Sequence, residues 1–394
     1  MIFQLTHTLL ENKCLMKDDW FIVSVIFLSG VSAVSEISKE TEMKERTTMM
    51  RTVCSQYPIR RQVKTRLSGR LFYISEKHNL SYCRVAKVGS TFWTQVFMTL
   101  GNISPVAKKD MQKETMFDKP RDEVHQEMKK HSNLTMPFSD SRVHTTTSFL
   151  VTRNPYSRLF SSYIDQIFLP NKWLQAAKMV KSAERRECGS DVTFEEFLNY
   201  ISSGILKGGS CDLHWAPIFS ICLPCNTDIN FVAKQETFNE DAEYILNYVG
   251  VEQPVKDEVK RAVGQNLIEN SLGTLVHTYV SKGHSTKKGC ITEKDLAKKL
   301  WTAFQIQGYI HNGIQFPEQK FQDVSQANIK GILLNAVLDA VHKRKLSSAE
   351  REKQRHAWKV HYWQQVSKTT LDLVQDAYYE DFHVFGYNID PSQM

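Results

Sequence analysis

This chain of 394 residues has no apolar run of the ~20 residues that span a bilayer. The nearest approach is the uncharged stretch 20–34, Trp-Phe-Ile-Val-Ser-Val-Ile-Phe-Leu-Ser-Gly-Val-Ser-Ala-Val, which suits the core of a signal peptide, with Val31-Ser32-Ala33 as a small-residue cleavage site. There is no compact Lys/Arg stripe with interleaved aromatics, so nucleic acid is set aside as a partner despite a formal charge of +7. The C-x-x-C pair Cys222 and Cys225 has no second Cys or His pair at related spacing, which argues against zinc and for disulfides. No G-x-x-x-x-G-K-[ST] pattern occurs, so the loop of nucleotide triphosphatases is absent. The helical material of the second half shows no internal repeat.

What is present is ordinary globular composition, 41% hydrophobic and 24% charged, in a length that fits one α/β domain with insertions. The positive balance favours acidic partners such as a sulfated or uronic-acid polymer. Three N-x-[ST] sequons, at Asn79, Asn102 and Asn133, and eight cysteines fit an oxidising, lumenal setting. Discounting Cys14 leaves seven, an odd number, and connectivity is not readable.

The chain is organised around residues 81–100. Tyr82 to Val85 predicts a short strand, and Phe92, Val96 and Leu100 recur at helical spacing after it. The joint between them is Lys87, Val88, Gly89, Ser90 and Thr91. Backbone N–H groups at the helix start, the helix dipole and the two hydroxyls would face an anion there, with Lys87 as the mobile charge. Residues 149–163 repeat the logic: an apolar strand, then Arg153, then Pro155 where a helix begins, then Ser161 two turns along. Arg153 forks onto phosphate and Ser161 closes on the same group.

These two stretches resemble the nucleotide-binding motifs of sulfotransferases, and the chain is similar to the Golgi carbohydrate sulfotransferases that include the chondroitin, dermatan and HNK-1 enzymes. Further matches are His214-Trp215 through Cys222-Leu-Pro-Cys225, then Asn230-Phe-Val-Ala-Lys-Gln-Glu-Thr-Phe-Asn-Glu-Asp241, then Phe194-Glu-Glu-Phe197 and Tyr379-Glu-Asp-Phe-His-Val-Phe-Gly-Tyr387. Two departures stand out: Ala86 replaces the usual Pro before the Lys, and Asn154 replaces the usual acid after the Arg.

The resemblance implies an α/β fold with a P-loop-like central parallel sheet flanked by helices and a largely helical C-terminal part. It implies 3′-phosphoadenosine 5′-phosphosulfate as co-substrate, its 5′-phosphosulfate on Lys87 to Thr91 and its 3′-phosphate on Arg153 and Ser161, with no metal. The acceptor would be a glycan, of acidic character. General base candidates are His214, in the His-Trp block, and His144, before the second strand. The implied layout is a cytosolic tail at 1–19, a signal anchor (or cleaved signal) at 20–34, a stem at 35–70 and a Golgi-lumenal domain at 71–394 with a helical insertion at about 250–377. Oligomeric state is open. Two rivals remain: a lumenal protein of this fold that binds nucleotide or glycan without transfer, and a phosphate-transferring kinase, disfavoured because no acidic metal-holding strand stands out.

Overall fold

The computed structural model describes residues 20–56, 72–103, 115–179, 188–264, 268–284 and 290–393. The expected tail at 1–19 and the later part of the expected stem, 57–70, lie outside the described residues, as do the side chains of 20–37.

Five strands form one sheet in the order β3-β1-β2-β4-β5: β1 (Phe72–Ser75), β2 (Leu80–Cys83), β3 (Thr135–Met136), β4 (Thr147–Thr152) and β5 (Ile229–Lys234). The β2, β4 and β5 strands run parallel, while β1 pairs antiparallel with both β2 and β3. The expected parallel sheet is therefore its site-bearing half, and the other half is a hairpin. The tight return at 76–79, with Asn79 at φ 46°, permits no crossover helix between β1 and β2.

Strands buried on both faces need helices on both sides. Helix α1 (Trp20–Gln56) packs along β5; α2 (Ser90–Leu100) follows β2; α3 (Arg121–Met128) and the one-turn α4 (Arg142–Thr145) precede β4. After β4 comes α5 (Pro155–Tyr163), which continues into a π-helical turn at Ile164–Phe168, then α6 (Trp173–Ala176), α7 (Phe194–Leu206) and α8 (Ile218–Cys222). Beyond β5 lie α9 (Phe238–Tyr248), α10 (Gln253–Gly264), α11 (Ile268–His284), α12 (Glu293–Ile306), α13 (Ile329–Lys343), α14 (Ser348–Gln364), α15 (Lys368–Ala377) and α16 (Tyr379–Val384). The core divides in two. Tyr82, Trp93, Phe97 and Phe149 stack around the sheet, and Leu296, Leu300, Phe304, Leu333 and Val337 fill a second cluster among α11, α12 and α13.

Residues 38–56 of the expected stem are part of the globule. Met43, Thr47 and Met50 are buried, Lys39 and Arg46 both bond the buried Asp241, and Cys54 is bridged to Cys225. The buried positions recur at every third and fourth residue, the spacing of one helix face. Two more bridges, Cys83–Cys222 and Cys188–Cys290, leave buried Cys211 outside the set. The two cysteines of the C-x-x-C thus reach different partners. Helix α9 starts at Phe238, with Thr237 at its cap position.

Candidate functional site

The carboxyl ends of parallel strands β2 and β4 stop side by side, which is where an α/β sheet presents its ligand crevice. From β2 the chain turns sharply. Lys87 sits at φ 71°, a left-handed conformation rare for a residue with a Cβ, and Gly89 follows at φ 87° as the N-cap of α2. A Cβ on Gly89 would come within 2.5 Å of the Phe238 ring, so only glycine fits. With no cap side chain, the first N–H groups of α2 are left for a ligand. Strained backbone of this kind concentrates at functional sites.

The loop lost a proline at Ala86, and arginines hold it instead. Buried Arg158 donates to the carbonyls of Ala86 (3.1 Å), Leu213 (3.1 Å) and Ala216 (2.7 Å), while Arg153 donates from Nη1 to the carbonyl of Lys87 at 3.0 Å. The second departure is also absorbed. Asn154 caps α5 by accepting from the Ser157 N–H, and its own N–H donates to Glu236 at 2.9 Å.

Lys87, Arg153 and Ser161 line one cavity of about 650 Å³. Val88 is buried in the core, and Gly89, Ser90 and Thr91 start α2 just past Lys87. Two residues that sequence reasoning passed over complete the Lys87 end. Asp165, buried in the π-helical turn, accepts from Lys87 Nζ at 2.7 Å and from Arg121 Nη1 at 3.0 Å. The spacing Ser161 to Asp165, one helical turn, was the available signal; Arg121 lay in a charged stretch and offered none. One carboxylate shared by two cations is held far below the usual range. Lys87 has the opposite balance: burial, with Arg121 and Arg153 nearby, outweighs Asp165 and brings its ammonium down to about 8.

Arg153 is the clearest anion-seeking group. Its Nε is buried with no hydrogen-bond partner, and among the described residues no carboxylate pairs with it. Burial pulls its pKa down, with Glu236 opposing. A phosphate oxygen fits that orphaned donor.

Neither histidine lines the cavity. His214 stands behind Lys87 with Nδ1 2.6 Å from Asp212, itself bonded to Lys172 at 2.5 Å. The contact fixes the ring proton on Nδ1 and leaves Nε2 basic. Burial, with Lys87 and Lys172, lowers the His214 pKa while Asp212 resists, so the ring is neutral at neutral pH. His144 is a correction. It lies in α4 before β4, exposed and 3.2 Å from Asp228, at the strand end opposite Arg153. Nine residues of sequence become the full length of β4, too far to serve the site. His125 of α3, not anticipated, sits 3.2 Å from Thr91 Oγ1, its pKa lowered to about 4 by burial with Arg84 and Arg121 adding to it.

A family model described as the sulfotransferase family matches residues 70–299, more than half of the chain and all of the strand-end site. This chain belongs to the sulfotransferase family. Its similar proteins include carbohydrate sulfotransferase 10 of Xenopus laevis, 30% identical over 54% of this chain and 63% of the relative. Carbohydrate sulfotransferase 9 of Homo sapiens is 28% identical over 47% and 42%, and carbohydrate sulfotransferase 8 of Mus musculus 28% over 54% and 52%. The match thus spans about half the length of these curated relatives. No solved structure matches. The sulfotransferase match ends within α12, so α13 to α16 lie outside it, among them α14, which contributes Glu352, Arg355, His356 and Lys359 to the cavity lining.

Proposed function

We propose that this chain moves a sulfuryl group from 3′-phosphoadenosine 5′-phosphosulfate to a hydroxyl of a glycan. The observation that carries the reading is the convergence of Lys87, Arg153 and Ser161 on one cavity, with no carboxylate bonded to the Arg153 guanidinium among the described residues. Lys87 and the α2 N-terminus would take the 5′-phosphosulfate, and Arg153 with Ser161 the 3′-phosphate.

Sulfuryl transfer resembles phosphoryl transfer, in which positioning and charge stabilisation do most of the work. The acceptor oxygen attacks sulfur as its proton passes to His214 Nε2. The bond from sulfur to the bridging phosphate oxygen breaks, and adenosine 3′,5′-bisphosphate leaves with its new charge facing Lys87. Losing that contact costs ~3 kcal/mol, about a hundredfold in rate. The net charge of +7 supports an acidic acceptor. Three disulfides and exposed side chains at Asn79, Asn102 and Asn133 support glycosylation and a Golgi-lumenal setting, with the 20–34 segment as the anchor. Among the described residues no helix is long and apolar enough to cross a membrane, so the anchor rests on the family likeness.

One observation favours a second reading, a nucleotide- or glycan-binding protein without transfer: Lys87 is already committed to Asp165. Radiolabelled donor offered with chondroitin, dermatan, heparan and terminal-galactose or glucuronate glycans separates the two. Label entering one glycan, and lost in Lys87→Ala, is the expected result. Nucleotide binding with no label transferred to any of them would favour the binder.

A further inference from the structure

The cavity has a second wall that the family match does not reach. It is built by α14, whose Glu352, Arg355, His356 and Lys359 face Arg153 and Ser161 across the space. Five cationic side chains, Lys87, Arg121, Arg153, Arg355 and Lys359, line it against three carboxylates. Each carboxylate is already engaged: Asp165 by Lys87 and Arg121, Glu236 by the Asn154 N–H and Tyr387, and Glu352 by Arg355 at 2.6 Å. Among the described residues, Arg153 and Lys359 are the two of these cations with no carboxylate in hydrogen-bond or ion-pair contact, and both line the same cavity. Among the described residues, the hydrogen bond of Lys359 Nζ goes to a neutral group, Ser157 Oγ, at 3.0 Å. Ser157 is 92% buried on α5, one turn before Ser161. Burial and the Arg153 charge both lower the Lys359 pKa, with Glu236 and Glu352 opposing them.

Resting on the reading above, we propose that Lys359, steadied by Ser157, holds the terminal phosphate monoester of the donor nucleotide together with Arg153, so that discrimination for a 3′-phosphorylated nucleotide is built in part by α14. A dianion placed between an arginine fork and a lysine relieves their repulsion and binds both halves of the cavity wall at once. It also gives α14 a role in donor recognition that residues 70–299 do not supply.

The test is calorimetric titration of the full chain with adenosine 3′,5′-bisphosphate and with adenosine 5′-monophosphate, which lacks the 3′ group. Wild type should favour the bisphosphate. Lys359→Gln should weaken the bisphosphate by about ten- to a hundredfold, the size of one charge-assisted hydrogen bond, and leave the monophosphate unchanged. Lys359→Arg should restore most of the loss. Glutamine is well tolerated in a helix, and an unchanged melting temperature without ligand confirms that the variant folds. Equal losses for both nucleotides, or no loss for either, overturn the assignment to Lys359 and leave the proposed function standing. Wild type that fails to distinguish the two nucleotides overturns both.

Discussion

Asp165→Asn isolates the pair on which donor binding turns. The Asp165 carboxylate is 6% exposed, its partner Lys87 12% and its second partner Arg121 43%. At 2.7 Å and an effective dielectric of ~20, the gross attraction to Lys87 is about 6 kcal/mol, much of it offset by desolvation. Breaking one side of a buried pair leaves a stranded charge, and the net cost is ~3–5 kcal/mol; the more exposed Arg121 adds little because solvent screens it. The variant should melt well below wild type without ligand. The pH dependence has a definite sign. Because folding depresses the Asp165 pKa, its stabilisation is fully present above the unfolded carboxyl value of ~3.9 and is lost as pH falls toward the folded value. The stability gap is therefore constant from pH ~5 to 7 and closes in acid. Nucleotide binding should move the other way. In wild type the incoming phosphate must detach Lys87 from Asp165, and in the variant it need not, so affinity for adenosine 3′,5′-bisphosphate should rise about tenfold or more. Melting with and without nucleotide reads both effects, since a ligand stabilises by RT ln(1 + [L]/Kd). A variant that binds nucleotide more weakly would refute the competition and make Asp165 a positioning residue for Lys87. A variant as stable as wild type would refute the pair's weight.

Two further outcomes follow from the same loop. With the Lys87 ammonium titrating at about 8 in the free protein, nucleotide affinity should hold below that pH and fall above it, and Lys87→Arg should carry the limb beyond about pH 10; titrations from pH 6 to 10 read this directly. Arg158→Met keeps the bulk but deprives one buried and two part-buried carbonyls of their donor, at a cost of about 3 kcal/mol in unfolding free energy from denaturant titration, with weaker nucleotide binding as the Ala86 turn loosens; an unchanged midpoint would show that other contacts hold the turn.

The parts of the site that could be read from the chain are those with local geometry. Strand, turn and helix around Lys87, and again around Arg153, follow from periodicity and a few turn residues, and both anion groups landed in one cavity. What stayed hidden depends on contacts distant in sequence. Arg121 reaches Asp165 across 44 residues, and Lys359 reaches Ser157 across 202. His144 failed because distance along a strand was taken as proximity to its end. The parallel sheet was half right, since a four-residue turn can reverse a chain as easily as end a strand. Residues 38–56 lay in the expected stem because what ties them to the globule, Lys39 and Arg46 on Asp241, spans 202 and 195 residues of sequence.

The disulfide pattern bears on how this protein is made. Cys54–Cys225 encloses Cys83–Cys222, so the bridges are nested. During synthesis Cys54 and Cys83 emerge with no native partner until 139 more residues have followed the second of them. In an oxidising compartment these two thiols would be free to pair with each other first, and the two cysteines of the C-x-x-C would invite the same error between themselves. Closing the inner bridge first shortens the path to the outer one and lowers its entropic cost. Repair of such a mispairing would run at the pace of thiol exchange, seconds to hours.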